Sequence, residues 1–95
     1  MPTYIALINL TDQGIRHIKA APQLVDRIRA AFEAAGGSVP DVYLVMGPYD
    51  AVAICEAPDD DTYTRLVLSL AAGGDFRTTT LKAIANPRAL LETLP

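Results

Sequence analysis

Apolar positions along the chain fall into short runs and helical stripes that alternate. Tyr4 to Leu10 is apolar except for Asn9 and stops at Thr11-Asp12, which predicts a strand. Thr11 then caps a short helix with Asp12 and Gln13 in its first turn, and Ile15 and Ile18 are expected to face inward. Gly14 weakens that helix. Pro22 suits the first position of a longer helix, whose stripe Leu24, Ile28, Phe32 and Ala35 runs to a stop at Gly36-Gly37. Val42 to Met46 and Ala51 to Glu56 predict a hairpin around Gly47-Pro48-Tyr49-Asp50, with Pro48 preset for the first corner of a β-turn. Pro58 opens another helix, with Asp59, Asp60 and Asp61 complementing its positive end. Tyr63, Leu66, Val67 and Leu70 form its stripe, and Gly73-Gly74 stop it. Phe76 to Ile84, with three threonines inside, predicts a strand from its β-branched content. Asn86-Pro87 starts a last short helix carrying Leu90, Leu91 and Leu94.

A weak internal repeat supports this order. Ala21-Pro22, a helix and Gly36-Gly37 recur as Ala57-Pro58, a helix and Gly73-Gly74. Each half reads strand–helix–strand, so the whole is α+β with the split βαβ, ferredoxin-like order β-α-β-β-α-β. Right-handed crossovers put both long helices on one face of a four-stranded antiparallel sheet. Residues 1–95 are expected to make one domain, with 85–95 as a short C-terminal helix and tail.

The other sheet face should alternate to polar, and it does not. Ile5 and Leu7 oppose Tyr4, Ala6 and Ile8, and the second and third strands are likewise apolar on both sides. Left open, such a face would exceed the apolar patch that monomers ordinarily carry. The simplest cover is a second copy related by a two-fold axis, sheet against sheet.

Composition narrows the function. With 95 residues, a compact monomer would expose roughly 5,300 Å² of surface, enough burial for one modest core without staples. Hydrophobic content of 51% and charged content of 20% exclude intrinsic disorder. A single cysteine and a single histidine exclude a disulfide framework and a Cys/His metal site. Eight basic residues are scattered against eleven acids, giving a net charge of -3, so nucleic acid is not an expected partner. No basic leader region and no apolar run of about 20 residues is present, which excludes a membrane span and points to a cytoplasmic protein.

The turn Gly47-Pro48-Tyr49-Asp50, between Val42-Tyr43-Leu44-Val45-Met46 and Ala51-Val52-Ala53-Ile54, resembles the motif that names the GYD domain family. The opening Pro2-Thr3-Tyr4, the segment Thr11 to Arg16, Glu56 to Asp60 and Arg77 to Leu81 are similar to that family too. Where the family usually has Lys-Asp-Ser-Pro before its long helix, this chain has Lys19-Ala20-Ala21-Pro22 and lacks a capping serine and an acid. The resemblance implies a ferredoxin-like domain of the dimeric α/β-barrel type and no particular reaction. The turn is similar to one in the ligand-binding and oligomerisation domains of leucine-responsive-type regulators, whose helix-turn-helix domain this chain lacks. Other dimeric α/β barrels are small monooxygenases, isomerases and stress-response proteins, and fold alone does not choose among them.

Several residues carry candidate chemistry. Tyr49 and Asp50 could place a phenol and a carboxylate at the mouth of a cavity between sheet and helices, or simply build the turn. His17 is the sole imidazole and serves as a general base only if a neighbour orients it; otherwise it is a solvated helix residue. Asn9, Thr11 and Gln13 either line a pocket or bond a neighbouring loop. Tyr43 reads as a core or interface aromatic, with a pocket role as the alternative. Cys55 reads as a small buried hydrophobe, and Asp59 to Asp61 as helix-start charges rather than cation ligands.

The favoured reading is a non-catalytic, small-ligand-binding homodimer or higher oligomer, with Asn9, Thr11, His17, Tyr43, Tyr49 and Asp50 as ligand-binding residues. No cofactor and no metal are expected. A second reading is a cofactor-independent enzyme using His17 or Asp50 as proton acceptor. A third is a pure oligomerisation module.

Overall fold

The computed structural model describes all 95 residues. Strand β1 (Thr3–Leu10) leads through a five-residue helix α1 (Asp12–Arg16) and a 3-10 turn (Ile18–Ala20) into α2 (Ala21–Ala34). Strands β2 (Ser38–Leu44) and β3 (Ala51–Glu56) form the hairpin, followed by α3 (Asp60–Ala71), β4 (Phe76–Lys82) and a short α4 (Pro87–Glu92). The strands run antiparallel in the order β2-β3-β1-β4, the ferredoxin-like arrangement that the element order predicts.

The register decides which side chains meet the helices. Tyr4 opposes Cys55 and Lys82, Ala6 opposes Ala53 and Thr80, and Ile8 opposes Ala51 and Thr78. The Tyr4 ring stacks on Tyr63 of α3 at 4.1 Å between centroids, and Phe32 of α2 meets Tyr63 edge-on at 6.0 Å. Both long helices therefore cover the Tyr4 face, and the small side chains of Ala6 and Ala53 let them approach it. The core is Tyr4, Ala6, Phe32, Val39, Ala53, Cys55, Ala57 and Tyr63. Ile5, Leu7, Val52 and Ile54 point the other way and are only half-buried, and Tyr43 and Leu81 beside them are exposed.

Capping follows the sequence. The side chains of Thr11, Asp59 and Asn86 accept from the amides of Gly14, Thr62 and Ala89 and fix the starts of α1, α3 and α4. Gly14 is required rather than merely tolerated. A Cβ there would lie 1.9 Å from the Asp75 carbonyl oxygen, so the glycine lets α1 press against the loop before β4.

Three local expectations change. Ile15 and Ile18 are exposed rather than inward, because α1 breaks at His17 into the 3-10 turn and loses helical phase. β2 runs over Ser38–Leu44 instead of Val42 to Met46. It includes Pro40 because β2 is an edge strand whose register shifts between Ser38 and Asp41, where no ladder amide is needed. Val45 and Met46 belong to the turn, and β4 ends at Lys82 rather than Ile84.

Candidate functional site

The hairpin turn is held from three sides by Asp50. Its amide donates to the Ile8 carbonyl at 2.9 Å, its carbonyl accepts from Val45 at 3.0 Å, and its carboxylate accepts from the Leu10 amide at 2.8 Å. The turn is thereby clamped to the end of β1. Gly47 sits at φ +124, a conformation that side-chain-bearing residues rarely adopt. Tyr49 is half-buried in the same turn.

This clamp leaves Asp50 at an apolar groove of about 120 Å³ between the sheet and the two long helices. Ile8 and Ala51 form its floor, Leu44 stands at its rim, and Leu24, Ile28, Val67 and Leu70 are among its walls. Asp50 and Thr78 are its polar exceptions. The groove exists because α2 and α3 touch each other little and lie over a floor of alanines. Its lining is that of a small-molecule site, apolar with a few convergent polar groups, although its volume suits only a small ligand or one part of a larger one.

His17 lies at the edge of this region. Its Nδ1 donates to Asp75 Oδ1 at 3.1 Å, and Asp75 also accepts from the Gln13 amide at 2.9 Å. These two bonds, Gln13 first, hold the Asp75 carboxyl below the usual carboxylate range. His17 thus has the orienting neighbour that a base requires. The recess beside it, shared with Leu10, Ala21 and Leu24, measures about 10 Å³ and holds about one water. Leu10, Ala21 and Leu24 also line the larger groove, so the His17–Asp75 pair adjoins it.

A polar recess of about 650 Å³ opens at the end of β1 and β4, lined by Asn9, Thr11, Asp12, Arg77, Thr78 and Thr79. Asn9 opposes Arg77 directly in the β1–β4 register. Thr11 is committed locally: its hydroxyl donates to the Gly74 carbonyl at 2.5 Å and accepts from the Gly14 amide at 3.0 Å.

The six residues singled out in the sequence therefore separate into four places. Asn9 and Thr11 share the polar recess, Asp50 lines the apolar groove with Tyr49 in the adjoining turn, His17 pairs with Asp75, and Tyr43 lies on the open sheet face. Asp75 and Arg77 carry no local motif that marks them: Arg77 meets Asn9 only through the β1–β4 register, and Asp75, in the loop before β4, meets His17 across 58 residues.

No helix is long and apolar enough to cross a membrane. The fold is shared widely. It matches the leucine response regulatory protein of Mycobacterium tuberculosis with a TM-score of 0.58 at 17% identity, over 87% of this chain and 50% of that one. It matches the crystal structure of MtbAldR with a TM-score of 0.68 at 21% identity, over 87% of this chain and 51% of that one. The chain spans about half the length of these two proteins, and at such identities the likeness is one of fold. A crystal structure of a Thermus thermophilus protein matches with a TM-score of 0.56 at 27% identity, over 88% of this chain and 94% of that one. In sequence, the chain is 40% identical over 85 residues to a Thermus thermophilus protein named glutamine synthetase and cystathionine beta-lyase binding protein, covering 88% of this chain and 90% of that protein. Residues 4–89 match the GYD domain family, and the chain belongs to it.

Proposed function

We propose that this chain is a binding protein that works as a homodimer through its open sheet face and takes a small apolar group into the groove between sheet and helices. One observation carries the reading: the groove remains open over a well-packed aromatic core and is apolar except at Asp50 and Thr78. A gap lined this way attracts apolar atoms, because its walls lack the contacts that close packing would supply. Asp50 orients whatever enters, and His17 stands at the adjoining edge. In the proposed dimer, the polar recess of Asn9, Thr11 and Arg77 comes to the subunit boundary, since Asn9 and Arg77 share the open face with Ile5 and Leu7.

Thermal unfolding across a panel of small aromatic and aliphatic compounds tests the groove. A ligand at 100 times its Kd adds about 2.7 kcal/mol, which raises the midpoint by about 10 °C or more for a chain of this size. Ala51→Leu fills the floor between Ile8 and Leu44 and abolishes the shift. A shift that survives this substitution contradicts the assignment.

A second reading is favoured by a separate observation. Leu44, at the groove rim, is 88% exposed and Met46, in the turn, is 99% exposed. The Thermus thermophilus relative is by name a binding protein for two enzymes. On this reading the apolar group belongs to an enzyme surface that docks on the turn. Co-elution with purified glutamine synthetase or cystathionine beta-lyase, lost in Leu44→Asp, supports it; elution apart from both enzymes contradicts it.

A further inference from the structure

The C-terminal arm is the least accommodated part of the molecule. Every residue from Ile84 to Pro95 is exposed, and the hydrogen bonds of α4 stay within residues 86–95. Ile84, Leu90, Leu91 and Leu94 are between 52% and 64% exposed. A helix of six residues has no independent stability in water, because short helices depend on tertiary packing of an apolar face. Its own chain supplies little, since Leu90, Leu91 and Leu94 each stay more than half exposed.

The whole molecule carries the same mark. It exposes 6382 Å², whereas a compact monomer of its mass exposes about 5,300 Å². Its radius of gyration is 14.5 Å, against about 12.4 Å for a compact chain of this length. The surplus of roughly 1,000 Å² is close to the ~800 Å² that each partner buries in a standard interface. The arm contributes to that surplus together with the open sheet face, since every residue from Ile84 to Pro95 is exposed.

We propose that the C-terminal arm is the other half of a homodimer interface: Leu90, Leu91 and Leu94 of one copy pack on the second copy beside its sheet face, and the interface is incomplete without them. The proposal rests on the sheet-face dimer above. Continuity favours a second copy over an unrelated protein. Leu81 belongs to the open face, and the chain passes from it through Ile84 into α4, so the arm leaves from the margin of the surface that pairs.

Sedimentation equilibrium on the full chain and three variants tests both layers. Val52→Arg, in the middle of the open face, yields monomers, and Tyr43→Arg, on an exposed side chain of the same face, does so with less demand on the fold. Replacing Leu90, Leu91 and Leu94 together by serine raises the dissociation constant at least tenfold. The amides of α4 are protected from hydrogen exchange in the wild-type dimer and exchange freely in the monomeric variants. If the serine variant dimerises like the wild type while the face variants dissociate, the arm proposal falls and the sheet-face dimer stands. If the wild type is monomeric, or the face variants remain dimeric, both fall. Equal protection of α4 in dimer and monomer also overturns the arm.

Discussion

Tyr4 is a single side chain on which packing, hydrogen bonding and titration converge. Its ring is buried against Tyr63, its hydroxyl donates to Asp60 Oδ1 at 2.5 Å, and Lys82 bonds Asp60 at 2.9 Å on the outside. Burial, followed by the Asp60 carboxylate, pushes the Tyr4 phenol up to about 12. Burial alone pushes the Cys55 thiol up to about 11. Both groups are neutral in the fold where the unfolded chain already ionises, so the stability they add is complete below the unfolded pKa and lost as pH rises through the folded one. The thermal midpoint should therefore fall between about pH 9 and pH 12. Tyr4→Phe should flatten the upper part of that fall, and an unchanged slope between pH 10 and 12 would remove Tyr4 from the explanation. The acid side has the opposite sign. Asp59, Asp60 and Asp75 are held below the usual carboxylate range, chiefly by the side chain of Thr62 and then its amide, by the hydroxyl of Tyr4 and by the side chain of Gln13. Their contribution is present above the ordinary carboxylate pKa, about 4, and disappears as pH falls below it. Gly14→Ala is the sharpest residue-scale test of packing. The new methyl meets the Asp75 carbonyl, and the Thr11–Asp75 and Thr11–Gly74 bonds must shift with it. Chemical denaturation should show a loss of about 3 kcal/mol.

At the scale of elements, legibility followed period and punctuation. β1, α2 and α3 were readable because each combines an apolar pattern of one period with a cap, a proline or a glycine stop. β2 was misplaced for a physical reason. Pro40 and Asp41 are poor strand residues, and only pairing along an edge with a register shift accommodates them. Val45 and Met46 look like strand by composition, yet an apolar run does not reveal whether the ladder continues past it. The site was less legible than the fold. Asp50 carried a turn signal, and the structure adds that its carboxylate clamps β1 from 40 residues away. His17 gains meaning only from Asp75, a contact that spans 58 residues. Capping can be separated from charge at the start of α3. Asp59→Ala removes the bond to the Thr62 amide at 2.8 Å and should cost about 1 kcal/mol. Asp61→Ala removes only a charge from the first turn and should cost about 0.5 kcal/mol or less. Equal losses in urea unfolding would mean that the cap bond contributes nothing beyond the dipole.

For the whole molecule, two apolar surfaces matter, and they lie on opposite sides of one sheet. The helix side holds the groove floored by Ile8 and Ala51; the other side carries Ile5, Leu7, Val52 and Ile54. The alternation of apolar residues on both faces of β1 and β3 made that second surface visible in the sequence. The groove was not visible, because it depends on how far α2 and α3 stand apart. Placing the ligand on the helix side and the second copy on the other makes the two roles separable by position. Methyl-resolved NMR of the chain titrated with benzene, a ligand that apolar cavities of about 150 Å³ accept, reports each side independently. The groove assignment predicts saturable shifts at the methyls of Ile8, Leu24, Ile28 and Val67, with Ile5, Leu7, Val52 and Ile54 unmoved. Shifts confined to the Ile5–Val52 side, or no saturable shift at any of these methyls, would contradict it.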